Sequence, residues 1–179
     1  MHSRKLILYI SMSLDGFIAT KDDDISWLSA MEKEGEDYGY AAFTQNIDTY
    51  IVGNQTYKTV LKLTGGHFPQ ADQYDCYVIT RQERAHENGV TYYNGALKDL
   101  IQQIRKEPWK DIYCDGGGQI VQLLMEEDLI DEYIVSVIPI VLGDGKRLFR
   151  GNTPRMDLKA MPPKYYDTGL IQIRYIRRA

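Results

Sequence analysis

Two rhythms of apolar residues divide the chain. Short runs that are apolar almost throughout, rich in Leu, Ile, Val and Tyr, fall at 5–12, 49–52, 74–80, 90–93 and 111–115, and such runs suit strands covered on both faces. Elsewhere the apolar positions space out. Leu97, Leu100, Ile101 and Ile104 form one stripe within 96–106, closed by Pro108, and helical spacing resumes in Gln119-Ile-Val-Gln-Leu-Leu124; both segments predict helices. Tyr38, Ala41, Ala42 and Gln45 predict a further helix over 34–46, with acidic residues in a first turn where the helix dipole favours them. A shorter one is expected from Asn54 to about Leu63. Past residue 127 the rhythm changes. Residues 131–142 are strongly β-branched but contain Pro139, which points to an edge, a bend or a bulge, and 157–161 and 170–176 read as an antiparallel closing pair. Strands alternating with helices early, and strands alone late, predict a mixed sheet in an α/β sandwich with the first strand near its centre. No repeat or linker interrupts the pattern, so residues 1–179 are read as one domain.

The chain is organised around Asp111-Ile-Tyr-Cys-Asp115-Gly116-Gly117-Gly118-Gln119, a strand that stops at a carboxylate and turns through three glycines into a helix. Lacking Cβ atoms, the glycines let a ligand come close to the main chain, and the first N–H groups of the helix point at the same spot. That is a seat for an anion such as a dinucleotide pyrophosphate, although a glycine-rich connection without a ligand has the same sequence. Two further strand ends repeat the theme: Val52-Gly53-Asn54-Gln55-Thr56 and Ile79-Thr80-Arg81. In an open α/β sheet ligands lie outside the carboxyl ends of the strands. Thr56 would offer a hydroxyl there, Arg81 a guanidinium and the glycines bare amides, a set that fits an adenine dinucleotide phosphate.

Composition narrows the classes. The 179 residues are 44% hydrophobic and 26% charged, with a net charge of -4, the profile of an ordinary globular protein that needs no staple. The acidic balance leaves no broad footprint for nucleic acid, and Arg174, Arg177 and Arg178 read as a solvated basic tail. Cys76 and Cys114 sit inside apolar runs as small buried hydrophobes, which suits a reducing compartment. The apolar run after Arg4 and Lys5 is too short for a signal peptide and is followed by Asp15, and no segment approaches the ~18 apolar residues of a membrane span. A cytoplasmic protein without membrane or nucleic-acid partners is expected. His67 and His86 lie in loops, and no residues suggest a metal site.

The segments Ile10-Ser-Met-Ser-Leu-Asp15-Gly16-Phe-Ile-Ala19, Trp27, Ile51-Val-Gly53-Asn-Gln-Thr56, Asp115-Gly-Gly-Gly118 and Leu129-Ile-Asp-Glu132 carry a family resemblance. Their order resembles the dihydrofolate reductase-like superfamily, and more closely the riboflavin-biosynthesis reductase family, the C-terminal reductase domain of the bifunctional deaminase-reductase. The resemblance spans nearly the whole chain. It implies a dihydrofolate reductase-like three-layer α/β sandwich, with a mixed, mostly parallel central sheet flanked by helices. It also implies NADPH held by Trp27, Thr56, Thr80 and the turn Gly116, Gly117, Gly118 and Gln119, with Gly53, Asn54 and Arg81 beside them. Asp15 and Asp115 would lie near the nicotinamide and the substrate. Two departures stand out. Reductases of phosphoribosylamino-pyrimidines carry Asp-Asp-Pro and an arginine soon after the threonine, where this chain has Tyr57-Lys-Thr-Val-Leu61; and dihydrofolate reductases have an arginine at the place of Asn54, which leaves cofactor phosphate binding to Arg81.

The expectation is an NADPH-dependent reductase of a small heterocyclic substrate, pyrimidine ribosylamino- or pteridine-like, resembling 5-amino-6-(5-phosphoribosylamino)uracil reductase. The alternatives are a non-catalytic cofactor-binding or regulatory module, and a structural dimer with an empty cleft. Asp15 and Asp115 are the two acids available as proton source, each with a structural alternative: a turn residue closing the first strand, and a helix cap. The resemblance further implies a homodimer, with residues 134–142 and 170–176 near its interface. Against it stands an edge sealed within one chain by the C-terminal strands.

Overall fold

The computed structural model describes residues 4–87 and 89–178. The first three residues of the basic start, Asn88 in its polar loop and Ala179 lie outside them. Ten strands are present among the described residues: β1 (Leu6–Ser13), β2 (Phe17–Ala19), β3 (Ile47–Gly53), β4 (Asp75–Ile79), β5 (Val90–Tyr93), β6 (Asp111–Gly116), β7 (Glu132–Ile138), β8 (Lys146–Arg147), β9 (Leu158–Tyr165) and β10 (Ile171–Arg177). Four α-helices accompany them: α1 (Tyr40–Thr44), α2 (Asn54–Leu63), α3 (Leu97–Arg105) and α4 (Gly118–Glu126).

Eight strands form one sheet in the order β5-β4-β3-β6-β1-β7-β10-β9. The pairs from β5 through β7 are all parallel, while β10 runs antiparallel to both β7 and β9. The sheet is therefore mixed and mostly parallel, with β1 inside it. Near-continuous apolar strands are what such a sheet requires, because both faces are covered. On one face Leu97, Leu100, Ile101 and Ile104 of α3 and Ile120, Val121, Leu124 and Met125 of α4 pack on Leu6, Leu8, Ile51, Ile112 and Val135. On the other, Tyr57 of α2 and Phe68 pack on Tyr50, Val52, Cys76, Val78 and Tyr113. These are the three layers of a dihydrofolate reductase-like sandwich. Cys76 and Cys114 are buried free thiols, both pushed up to about 12 by burial.

Three expectations need correction. The helix over 34–46 shrinks to the five residues of α1, because Gly35, Tyr38 and Gly39 take positive φ values of 78°, 56° and 81° that no right-handed helix admits. The Asp37 carboxylate accepts from the N–H groups of Gly39 and Ala41 at this break. Next, β7 is no edge strand; it lies between β1 and β10 and ends at Ile138, so Pro139 stands just beyond the ladder, where its missing donor costs nothing. The C-terminal strands seal it within the chain. Finally, Arg174 and Arg177 are not a solvated tail: Arg174 pairs with buried Glu132, and Arg177 pairs with Asp131 at 3.0 Å and Asp128 at 3.2 Å. No helix among the described residues is long and apolar enough to cross a membrane.

Candidate functional site

The carboxyl ends of β3, β4 and β6 open into one cleft of about 1320 Å³. Its lining includes Gly53, Asn54, Thr56, Thr80, Arg81, Asp115, Gly117, Gly118 and Gln119, so nine of the twelve residues singled out in the sequence meet in one place. Crossing the same cleft, the ribbon of β2 and β8 contributes Ile18, Ala19, Lys146 and Arg147.

Two helices begin at this cleft. Gly53 caps α2 and Gly117 caps α4, and neither cap supplies a side-chain acceptor to the first-turn amides. In α4 the amides of Ile120 and Val121 already donate to the Gly117 carbonyl, at 2.9 and 3.1 Å, while those of Gly118 and Gln119 precede the helical ladder. The two turns lie against each other, since a Cβ on Gly53 would sit 3.7 Å from the Gly117 nitrogen. Two positive helix ends facing one space hold an anion well. The glycines serve different ends. At Gly118 a Cβ would meet the Arg147 carbonyl oxygen at 2.3 Å, so the ribbon itself demands glycine there. At Gly117 it would meet the Thr56 hydroxyl at 3.2 Å, and Gly116 has φ +98°. The Gly116–Gly117 peptide bond is cis.

Cations ring the cleft: Lys58, Arg81, Lys146, Arg147 and Arg150, against the carboxylates of Asp23 and Asp115. Lys146 pairs with Asp23, and Gln55 donates to the same carboxylate at 3.1 Å. The Arg147 guanidinium stacks over the Phe17 ring at 4.5 Å and donates to the Asp15 carbonyl at 3.3 Å. Arg81 is exposed, so its charge is free to meet a ligand phosphate. Arg147 and Arg150 escape sequence reasoning because they lie far along the chain from the glycine turns and only the ribbon brings them in, whereas Lys58 stands on α2 five residues past Gly53. Asn54 Oδ1 is buried in the cleft wall without a hydrogen-bond partner, and Trp27 Nε1, outside the lining, is likewise buried and unpartnered. Buried polar atoms in native folds are normally paired, and Asn54 Oδ1 belongs to a residue of the cleft lining.

Asp115 sits at the end of β6 with its carboxylate on the cleft. It caps no helix. Instead it accepts from the Tyr50 hydroxyl at 2.5 Å and the Tyr113 hydroxyl at 2.7 Å. Burial pushes its carboxyl above the ordinary range, while the two hydroxyls pull it back. Both tyrosines are themselves raised well above their usual value, chiefly by burial and then by the Asp115 charge. Tyr113 also packs edge-on against Phe43 at 5.0 Å and Tyr50 at 4.9 Å. Sequence reasoning missed both tyrosines; the signal was alternation, because Tyr113 and Asp115 point to the same face of one strand.

Asp15 does not line the cleft. It accepts from the Ser13 hydroxyl at 2.6 Å and from the N–H groups of Gly143 at 2.7 Å and Leu142 at 3.1 Å, tying the β1–β2 turn to the loop after β7. The Ser13 hydroxyl first, and those amides with it, hold its carboxyl below the usual range. It is a clamp kept ionised, ill-suited to donate a proton near neutral pH. Trp27 lies in a 3-10 turn (Ser26–Met31) whose neighbours Ile25 and Leu28, rather than the indole, line the cleft. Gly116 lies beneath the lining, with its Cβ position 3.0 Å from Ile10.

The family model for the RibD C-terminal domain matches residues 4–171. The chain belongs to the RibD C-terminal domain family. Within reach of this family member is the uncharacterized protein YwjB of Bacillus subtilis (strain 168), 39% identical over 175 residues that cover 97% of this chain and 98% of that one. The structure of a candidate riboflavin biosynthesis protein from Shewanella sp. PV-4 superposes with a TM-score of 0.88 at 27% identity, covering 98% and 99% of the two chains. The diaminohydroxyphosphoribosylaminopyrimidine deaminase/5-amino-6-(5-phosphoribosylamino)uracil reductase of Thermotoga maritima shares the fold, with a TM-score of 0.74 at 13% identity, over 98% of this chain and 57% of that larger one.

Proposed function

We propose that this RibD C-terminal domain protein is an NADPH-dependent reductase of a small heterocyclic, pyrimidine- or pteridine-like substrate. The observation that carries the reading is the meeting, in one cleft, of two helix N-termini without side-chain caps, a ring of cations and a half-buried carboxyl held by two tyrosine hydroxyls. The amides of Gly118 and Gln119 and the N-terminus of α2 would hold the pyrophosphate, with Thr56 and Thr80 beside them. Arg81 would meet the adenosine phosphate, and Asn54 Oδ1 would accept from a ribose hydroxyl. When bound, NADPH supplies a hydride. The chain's own residues do the rest: they orient the partners, exclude water and provide a proton. Asp115 is the residue for that proton, because a carboxyl raised by burial keeps it closer to neutral pH than an exposed one does. Tyr50 and Tyr113 fix the carboxyl's direction.

A two-fold homodimer belongs to the same proposal. β9 is the outermost strand of the sheet but carries Pro162 and Pro163, so the pairing would run through side chains rather than the strand edge: Tyr165 is 74% and Ile171 38% exposed, apolar surface that a second copy would cover. The function is tested by following NADPH oxidation at saturating cofactor with aminopyrimidine and pteridine substrates. Turnover that falls in Asp115→Asn while NADPH binding persists supports the reading; undiminished turnover in that variant overturns the role of Asp115.

A further inference from the structure

The charges of the cleft are segregated, and this bears on the substrate. Its cations gather on α2, the β4 end and the ribbon, around the glycine turns. The region of Asp115 is different: Tyr9, Ile10, Ser11, Leu28 and Tyr113 line the cleft there, and none is basic, whereas Ile18 lies on the ribbon with Lys146 and Arg147. Burial raises the Asp115 carboxyl, and the Tyr50 and Tyr113 hydroxyls lower it. Tyr9 responds to burial, Gln172, Tyr166 and Asp37. The nearby Tyr40, pushed up to about 12, responds to burial, Tyr74, Asp115 and Tyr9.

Beyond Ser11 and Leu28, which line both spaces, lies a second cavity of about 530 Å³. The Tyr9 hydroxyl donates to the Tyr38 carbonyl at 3.3 Å, so the two cavities share a wall. Glu32, Glu34 and Glu36 line the second cavity, with Lys33 as its one cation, and Lys33 faces Asp167 at 3.4 Å. Whatever projects from a ring seated at Asp115 toward this outlet therefore enters a field of net negative sign.

The geometry points to a substrate without a phosphate: a planar heterocycle with N–H donors on the edge facing Asp115, and a neutral or cationic substituent directed over Ser11 and Leu28 toward the glutamates. This deepens the reductase reading and rests on it for the placement of cofactor and substrate. Each oxygen of the Asp115 carboxylate accepts one tyrosine hydroxyl and retains a further acceptor site, so the pair of oxygens can still receive a ring N–H and an adjacent amino group. The aromatic wall supplies a ring with contact area. A phosphate at the outlet would meet three carboxylates against the single Lys33, which already faces Asp167, and like-charge juxtaposition is how a site rejects a wrong ligand.

Neopterin and neopterin monophosphate carry the same ring and differ in the phosphate alone, so isothermal titration calorimetry of the full chain with each, in the presence of saturating NADP+, isolates that group. Neopterin is expected to bind, and its monophosphate at least about tenfold more weakly at low salt, a gap of about 1.4 kcal/mol. The gap should narrow with added salt and in Glu32→Gln/Glu34→Gln. Asp115→Asn should weaken both ligands. A monophosphate that binds as tightly as neopterin or tighter overturns the inference, as does a chain that binds neither. A chain that fails to bind NADP+ overturns the reductase reading instead, and neopterin against its ester on the bare chain then still decides this one.

Discussion

Tyr113→Phe keeps the ring that packs on Phe43 and Tyr50 and removes one donor to Asp115. Burial pushes the Asp115 carboxyl up and the two hydroxyls oppose it, so with one donor gone the carboxyl must rise further. A hydrogen bond to a charged group contributes about 1.5–3 kcal/mol, a neutral one about 0.5–1.5 kcal/mol. The cost of the substitution therefore depends on whether Asp115 is ionised. The sign follows from linkage: a carboxyl raised in the folded state binds its proton more tightly there than in the unfolded chain, so its contribution to stability is present below the unfolded value and lost as pH rises through the folded one. The variant raises the folded value and must lose more over that rise. Urea unfolding followed by tryptophan fluorescence across the pH range should thus show a cost of about 1.5–3 kcal/mol at the alkaline end, where Asp115 is ionised, and a smaller one at the acid end, near its unfolded value. In an Asp115→Asn background the pH dependence should vanish. An equal cost at both ends of that range in the parent background would refute the claim that this hydroxyl serves a titrating carboxyl.

Other outcomes follow from the same geometry. Gly118→Ala drives a methyl into the Arg147 carbonyl at 2.3 Å and should cost about 1–3 kcal/mol of stability, read as a fall in Tm. Gly117→Val meets only the Thr56 hydroxyl and the Ile18 side chain, so the fold should survive while NADPH binding weakens by several kcal/mol, about what a blocked pyrophosphate seat implies; an unchanged Kd in a folded variant argues against the seat. Arg81→Ala should lower affinity for NADPH at least tenfold and leave NADH nearly unaffected, an effect of about 1.4 kcal/mol, checked by paired titrations. Asp15→Asn should lower Tm above the acid range without changing NADPH affinity. The carboxyl is held low in the folded state, so its stabilisation is present above the unfolded value and fades as pH falls through the folded one; a Tm loss that persists unchanged into acid would contradict the clamp. Light scattering should give twice 20.6 kDa, and a single-chain mass at all concentrations would refute the dimer.

Much of the fold was legible because hydrophobic period decides it. The runs that became β3 and β6 are buried along most of their length, β1 and β4 largely so and β5 less because it ends the sheet, and the stripe of α3 is covered along its length. The miss at 34–46 shows where period alone fails: the spacing was helical, but Gly35 and Gly39 supply left-handed turns, and Asp37 caps the backbone at the break. Proline in 131–142 pointed toward an edge because a sequence does not say where the ladder stops; it stops one residue earlier. At the site, glycine turns announced themselves through residue type, since only glycine tolerates those approaches. Side chains drawn in by tertiary contact did not. Arg147 and Arg150 enter through the β2–β8 ribbon, whose pairing joins Phe17 to Arg147 across the chain. Asp15 misled for a physical reason: a carboxylate at a strand end suits chemistry and a hydrogen-bonded turn equally, and only its amide partners 127 and 128 positions away separate the two.

The most direct measurement is a titration of the full chain with NADPH and with NADH, followed by nicotinamide fluorescence. The account predicts saturable binding of NADPH, tighter than that of NADH, and weakened in Gly117→Val and Arg81→Ala while both variants remain folded. Absence of saturable binding by either dinucleotide would contradict it.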